Sequence, residues 1–120
     1  MPRTFLLAGA VAGLIGVAFG AFGAHGLRGR LSPEMLAVFE TGVRYQMYHA
    51  LALVAVASLS DRLGGRLVTA SGLLFVGGIV LFSGSLYLLA VTGATVLGAI
   101  TPIGGVAFLA GWACLAIATL

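Results

Sequence analysis

A chain of 120 residues with 61% hydrophobic and only 8% charged residues cannot cover a water-facing surface, because soluble domains carry about 25% charged residues. Its net charge of +3 comes from arginines that stand singly or in pairs, without a basic run, which excludes a nucleic-acid surface. The single cysteine, Cys114, excludes an internal disulfide and a cysteine-based metal site. The composition predicts a lipid-embedded protein with length for four spans of roughly 20 residues.

The first predicted span covers residues 4–24 and follows Arg3. Its start resembles a signal peptide, but the apolar run is about 20 residues long, whereas signal-peptide cores have about 7–15. We therefore expect a retained transmembrane helix. Its glycines follow a 4-3-4-3 spacing, a period of 3.5 that places them on one stripe: Gly9, Gly13, Gly16, Gly20 and Gly23.

The second predicted helix covers residues 33–59. Ser32 is suited to cap it, Pro33 to occupy its first position, and Glu34 to favour the positive end of the helix dipole. As one helix it is about 40 Å long, whereas the hydrocarbon core of a bilayer is about 30 Å thick. Its first turns should form an amphipathic extension at the interface, and the span itself should cover residues 43–59.

A polar turn from Ser60 to Arg66 leads to a third predicted span at residues 67–90, and an uncharged connection leads to a fourth at 102–119. Thr101 and Pro102 repeat the pattern of cap and proline seen at the second helix. Small residues recur every seven positions in the third span and at 3-4 spacing in the fourth. The glycines among them that we expect at helix interfaces are Gly77, Gly84, Gly104 and Gly111.

Small residues let helix backbones approach closely, which matters in lipid because helix association depends on van der Waals contact and interhelical hydrogen bonds. A period of 3.5 keeps such a stripe facing its partner at a left-handed crossing near +20°. The sequence thus predicts an all-α, integral membrane bundle of four transmembrane helices, as one domain over residues 1–120. The stripes do not reveal whether they meet within one chain or between copies.

The main polar cluster of the predicted spans lies in the second one. If that span begins near Val43, His49 lies about 9 Å further along the helix axis, on the membrane side where the first span ends. Polar residues of the third span lie toward the same side. Together these residues form a candidate polar pocket: His25, Arg44, Tyr45, Gln46, His49, Ser83 and Tyr87.

Three interpretations of this pocket stay open, because an ionisable residue inside a membrane is a functional hypothesis by default. The first is structural, with hydrogen bonds between helices and an interfacial tyrosine belt. The second is a site for a small molecule, ion or lipid, with His49 as ligand or proton acceptor. The third is a metal site on His25 and His49, which would need Glu34 or Glu40 as well. We expect neither a metal nor a cofactor, and we expect Trp112 to serve packing or lipid contact.

The spans carry no carboxylate at their middle, which argues against a small proton-coupled multidrug exporter, and the chain shows neither a nucleophile–base–acid set nor a phosphate loop. The sequence favours a non-enzymatic helix-packing or accessory component. Its partners would be the bilayer, a further copy, or another membrane protein. A small transporter, channel or lipid-binding protein that uses the cluster around His49 is the alternative, and an enzyme ranks third.

The predicted orientation rests on a small difference in positive charge. Arg3, Arg62 and Arg66 lie on the side of the termini, whereas Arg28 and Arg30 lie opposite with Arg44 close by. Because positive residues concentrate on the cytoplasmic side, the count favours cytoplasmic termini.

Four segments resemble the signature segments of a known family: GAFGAHGL at 20–27, TGVRYQMYHAL at 41–51, LFSGSLY at 81–87 and TPIGG at 101–105. The family is a bacterial one of unknown function, domain of unknown function 423, whose eukaryotic relatives are called transmembrane protein 256. The resemblance touches all four spans and implies a small multi-pass protein of the bacterial inner membrane. It implies no activity, so it carries no catalytic or binding residue to this chain.

Overall fold

The computed structural model describes residues 2–120, and in that range it consists of helices joined by short turns, without a β-strand. Four long helices build the bundle, which confirms the predicted fold class. The helix α3 has a short π-helical segment within it, and a 3₁₀ turn at Thr95–Ala99 leads into α4. The bounds are α1 Pro2–His25, α2 Pro33–Leu63, α3 Gly65–Thr92 and α4 Thr101–Ala118.

Three stretches are long and apolar enough to cross a membrane: α1, α3, and α4 together with its 3₁₀ turn. The helix α2 has 31 residues but is less apolar, because Gln46 and His49 interrupt its hydrophobic sequence. Those two side chains are only 3% and 4% exposed, so they do not face the bundle surface. Between residues 45 and 57 the exposed side chains of α2 are therefore tyrosine or aliphatic: Tyr45, Tyr48, Leu51 and Ala55.

The start of α2 follows the sequence prediction. The Ser32 hydroxyl accepts a hydrogen bond from the Met35 N–H at 3.1 Å, and Pro33 opens the helix. The predicted cap at Thr101 is wrong. Ile100 before it is already helical, because the 3₁₀ turn continues directly into α4, and the Thr101 hydroxyl instead pairs with the Ser85 hydroxyl at 2.6 Å.

The turn between α2 and α3 is shorter than the sequence predicted. The helix α2 continues to Leu63, and the chain reverses at Gly64 and Gly65, whose φ angles are +59° and +82°. Only glycine adopts such angles without steric cost. Ser60 stays helical, and its hydroxyl donates to the Val56 carbonyl at 2.7 Å.

Within α3, residues Ile79–Ser83 form a π-helical segment, in which the Gly84 N–H reaches back to the Ile79 carbonyl. A π turn holds an additional residue and so shifts every later side chain around the helix axis. The seven-residue repeat predicted for α3 nevertheless continues across it, because Ser71, Gly78 and Ser85 are all buried. Gly77 and Gly84, which precede the buried Gly78 and Ser85, are alike in that a Cβ at either would meet nothing within 4 Å.

The antiparallel contact of α1 with α2 uses one glycine in every seven residues. Gly9, Gly16 and Gly23 are buried, and each faces α2, at successive positions between Val54 and Phe39. A Cβ at Gly9 would lie 2.8 Å from the Ala50 carbonyl oxygen, and one at Gly23 would lie 3.0 Å from the Phe39 ring. Gly20 is at ordinary contact distance, 3.4 Å from a Val43 methyl.

Elsewhere, large side chains fill the space that glycines leave on the neighbouring helix, an arrangement we call a glycine notch. The Phe5 ring lies in the notch of Gly72, the Phe75 ring in that of Gly111, and the Phe108 ring in that of Gly78. All three phenylalanines are buried, with exposures of 2%, 0% and 5%. These notches join α1 to α3 and α3 to α4, and they surround the main apolar core.

Three glycines predicted at helix interfaces do not contact a neighbouring helix. A Cβ built on Gly13, Gly77 or Gly84 would meet nothing within 4 Å. Gly13 lies beside the repeat that touches α2, and Gly77 precedes the buried Gly78 by one residue and so points elsewhere. Gly84 in the same way precedes the buried Ser85 by one residue.

Gly104 makes the tightest contact of α4, because a Cβ there would collide with the backbone nitrogen of Phe82 and lie 2.8 Å from the Leu81 carbonyl carbon. We expect Gly104→Ala to lower the free energy of unfolding by about 1–3 kcal/mol, as overpacking typically does. Thermal denaturation in mild detergent measures the change. Gly105→Ala is the matched control, since its Cβ would be 3.8 Å from the Phe82 ring. Equal stability of the two variants would contradict the proposed close approach.

Candidate functional site

The polar side chains of α2 lie deeper than the sequence indicated. The Gln46 side-chain amide donates to the Ala12 carbonyl at 2.8 Å, and Ala12 lies near the middle of the 24-residue α1. The approach depends on Gly16, whose missing side chain leaves room for Met47 and Gln46 against α1. Gln46 and its neighbours therefore occupy the middle of the bundle, whereas the sequence placed His49 only about 9 Å beyond the start of the span.

On one side of α2, a chain of hydrogen bonds joins three helices. The Tyr87 hydroxyl donates to the Gln46 side-chain oxygen at 2.5 Å, and the Ser83 hydroxyl donates to the Gly42 carbonyl at 2.6 Å. Gly42 also forms the notch for the Tyr87 ring, to which a Cβ would come within 2.8 Å. These bonds satisfy buried polar groups with partners from α1, α2 and α3, as a structural role requires.

On the other side of α2, both ring nitrogens of His49 have partners. Nδ1 lies 2.7 Å from the Tyr45 carbonyl oxygen, which only accepts, so Nδ1 carries the proton. Nε2 then accepts the indole N–H of Trp112 at 3.1 Å, because indole nitrogen only donates. The imidazole is thus neutral and in one defined tautomer. It also stacks on Phe108, with ring centroids 3.6 Å apart.

The structure does not bring all the predicted pocket residues together. Gln46, Ser83 and Tyr87 share one side of α2, whereas Tyr45 and His49 share another. Arg44 is exposed and lines a shallow groove between α1 and α2. His25 is exposed at the end of α1, near Gly23, and that glycine contacts Phe39, about ten residues or 15 Å from His49 along α2.

The geometry does not bring the predicted metal ligands, His25 and His49, together. Because His25 and His49 lie at different heights of the bundle, they do not form a common site. Across residues 2–120, no three histidine, cysteine or acidic side chains come close enough together to hold a metal ion.

A groove opens on the outside of the bundle next to His49. The helices α2 and α4 both pack on α3, and between them they leave a lateral cavity of about 440 Å³. Its floor is the Phe82 ring and its walls are mostly aromatic. The lining residues are Tyr45, Tyr48, His49, Phe82, Gly105, Phe108, Leu109 and Trp112.

Trp112 is the site residue that sequence reasoning missed, since we expected it to serve packing or lipid contact alone. Its ring is 46% exposed and forms part of the groove wall, while its N–H holds His49. The signal was present in the chemistry: an indole N–H in an apolar environment usually finds an acceptor. The pairing itself depends on the tertiary arrangement of α2 and α4.

A four-helix bundle with three span-capable helices, glycine notches and internally paired polar side chains defines a small multi-pass membrane protein. The chain belongs to the family described as "Protein of unknown function (DUF423)", whose sequence profile matches residues 19–105. The resemblance seen in the sequence is thereby confirmed. The family description assigns no activity.

Similar proteins occur in several bacteria and are named membrane proteins. UPF0382 membrane protein YwdK from Bacillus subtilis (strain 168) is 52% identical over 119 residues, which cover 98% of this chain and 97% of the relative. UPF0382 membrane protein SH2409 from Staphylococcus haemolyticus (strain JCSC1435) is 49% identical over 117 residues, with 98% and 95% covered. No solved structure matches the chain.

We expect Trp112→Phe to leave the His49 Nε2 atom without its donor while it keeps an aromatic ring in the groove wall. A buried acceptor without a partner costs about 1–3 kcal/mol, so the melting temperature in detergent should fall.

In the unsubstituted protein, ¹⁵N NMR of labelled histidine should show a protonated Nδ1 and an unprotonated Nε2 for His49. His25→Gln identifies the signal, because the chain has only two histidines. A protonated Nε2 would refute the assigned tautomer.

Proposed function

We propose that the protein is a non-enzymatic binding component of the membrane, which takes up a lipid-soluble molecule from the side through the aromatic groove between α2 and α4. The observation that carries this proposal is the position of the groove. It opens laterally at the height of Gln46, near the middle of α1, where a ligand would arrive from the lipid phase. Its volume of about 440 Å³ lies in the usual range of small-molecule sites, roughly 300–1,000 Å³.

The chemistry of the walls favours a molecule with a flat ring. Tyr45 and Tyr48 contact each other with centroids 5.7 Å apart, and Tyr45 and Phe108 are stacked at 6.4 Å. Aromatic faces hold flat rings by offset or edge contacts. Tyr45 and Tyr48 are 38% and 55% exposed, so their hydroxyls are available to a hydrogen-bond acceptor on the ligand.

The depth of these rings supports the same proposal. Tyrosine and tryptophan are enriched where a membrane meets water, yet Tyr45, Tyr48 and Trp112 lie around the middle of the bundle. A lipid-soluble ring with a carbonyl oxygen, as in the quinone class, would satisfy both the rings and the hydroxyls. The His49 imidazole supports binding over catalysis, since its two nitrogens already hold Tyr45 and Trp112.

The test uses the single tryptophan of the chain, which lies in the groove wall. Titration of the purified protein with a short-chain naphthoquinone should quench Trp112 fluorescence to a plateau. Tyr45→Phe combined with Tyr48→Phe keeps both rings and removes both hydroxyls, so the dissociation constant should rise about fivefold for each lost hydrogen bond of about 1 kcal/mol.

Gly105→Leu is the blocking variant, because Gly105 lines the groove and has only the Phe82 ring near it, at 3.8 Å. It should abolish the plateau, whereas Gly13→Leu, on the opposite helix α1 with open space around it, should not. Quenching that rises linearly in every variant would show collision in the lipid phase and would overturn the proposal.

A second candidate function is assembly with another copy or with another membrane protein. The observation that favours it is the open space at Gly13, Gly77 and Gly84, small positions that their own chain leaves uncovered. Gentle extraction followed by native mass spectrometry separates the two candidates. A homo-oligomer or a copurifying protein would favour assembly, and a monomer that retains a small molecule other than a phospholipid would favour the groove next to His49.

We further propose that the protein resides in the bacterial cytoplasmic membrane with both termini in the cytoplasm. In this arrangement α2 crosses the membrane as well, in addition to the three more apolar helices. Arg3, at the start of α1, lies near Ala57 and Ser58, so it shares one end of the bundle with Arg62 and Arg66 of the α2–α3 turn. A C-terminal green fluorescent protein fusion should fluoresce, and a C-terminal alkaline phosphatase fusion should be inactive. The opposite pair of results would reverse the proposed orientation.

A further inference from the structure

A second groove lies on the other face of the bundle, between α1 and α3, and it is separate from the groove next to His49. Its cavity of about 420 Å³ is lined only by apolar surface, contributed mainly by Phe19 and Phe22 of α1 and by Gly84, Leu88 and Val91 of α3. Its floor is the Tyr87 ring, which contacts Phe19 with centroids 5.0 Å apart.

The groove is long enough for about two thirds of a lipid tail within one leaflet. From Gly84 to Val91, α3 advances about 10 Å, and half of a bilayer core is about 15 Å thick. Val91 is next to the last residue of α3, so the groove begins at the end of the bundle and runs toward its middle. Gly84 supplies the depth, since it leaves open space on the wall.

The loop between α1 and α2 lies at the same end of the bundle as the outer end of the groove. The Gly26 and Leu27 N–H groups both donate to the Phe22 carbonyl, at 2.6 and 3.1 Å. The Leu27 side chain is buried in a small cluster with Phe39 and Ala90. The loop is therefore held at this end of the bundle by contacts with α1, α2 and α3.

This fixed loop carries two positive charges. Arg28 and Arg30 are exposed, and the turn that holds them is closed by hydrogen bonds from the Arg30 and Leu31 N–H groups to the Leu27 carbonyl, at 3.0 and 3.1 Å. Glu34, in the first turn of α2, is the acidic residue nearest to them in the sequence. An apolar groove with two exposed arginines in the loop at the same end of the bundle is complementary to an anionic amphiphile.

We infer that this groove binds an anionic phospholipid, with one acyl chain along Phe19, Phe22 and Leu88 and the phosphate at Arg28 and Arg30. The inference is independent of the proposed quinone-type site, because the two cavities share no lining residue. Arginines near a membrane surface attract anionic headgroups by electrostatics, and guanidinium groups match phosphate geometry. The tail groove then selects one position for a lipid that would otherwise exchange freely.

Native mass spectrometry of the full chain, released from neutral detergent, tests the inference. Dioleoyl phosphatidylglycerol and dioleoyl phosphatidylcholine have the same tails, so the ratio of their bound populations measures the headgroup preference. We expect one tightly held phosphatidylglycerol per chain, preferred at least about tenfold. Arg28→Gln with Arg30→Gln should remove that preference, whereas Arg62→Gln with Arg66→Gln, at the other end of the bundle, should leave it unchanged.

The tail groove is tested by Gly84→Leu, which fills the groove without meeting any atom within 4 Å of the new Cβ. It should abolish the tightly held lipid. Gly77→Leu is the matched control on the same helix, since Gly77 also has open space but does not line the groove. Equal binding of the two lipids, or a retained lipid in Gly84→Leu, would overturn the inference.

Discussion

The arrangement of this bundle depends on the close approach of helix backbones at glycines. In lipid the hydrophobic effect does not drive helices together, so van der Waals contact and hydrogen bonds between helices must hold them. Each notch supplies contact by admitting a large side chain, as Gly72 admits Phe5 and Gly78 admits Phe108. The same proximity brings polar groups within bonding distance, because Gln46 reaches the Ala12 carbonyl only where Gly16 lets α2 lie against α1.

The polar residues of α2 divide into an internal set and a set that faces outward. The Gln46 side chain is hydrogen-bonded to α1 and α3, so both of its polar atoms have partners within the bundle. His49 is just as buried but belongs to the wall of an open groove, where Trp112 holds its ring. The exposed aromatic side chains beside it are Tyr45, Tyr48 and Trp112. They give this face a chemistry different from the aliphatic surface around it.

The sequence was informative where local chemistry decides the structure. The number of helices follows from the apolar runs, and the Ser32–Pro33 start of α2 follows from its residue types, because capping needs only neighbouring residues. Gly9, Gly16 and Gly23 on α1 follow from spacing. The depth of Gln46 does not, because it depends on how far α1 and α2 are shifted along each other. The Trp112–His49 bond and the π segment likewise depend on contacts between distant residues, and no local signal in α3 specifies the extra residue.

Because of the π segment, the faces that the two halves of α3 present to their neighbours depend on the number of residues between them. Each residue of an α-helix turns the chain by about 100°, and the surplus residue within Ile79–Ser83 sets which side chains follow it on each face. The later half thereby presents Tyr87 to α2 and Ser85 to α4, while the earlier half presents Phe75 to Gly111. During evolution, single substitutions along this helix can accumulate. Insertions and deletions must keep the number of residues between Phe75 and Tyr87, because otherwise these two side chains would not face Gly111 and Gln46 at the same time.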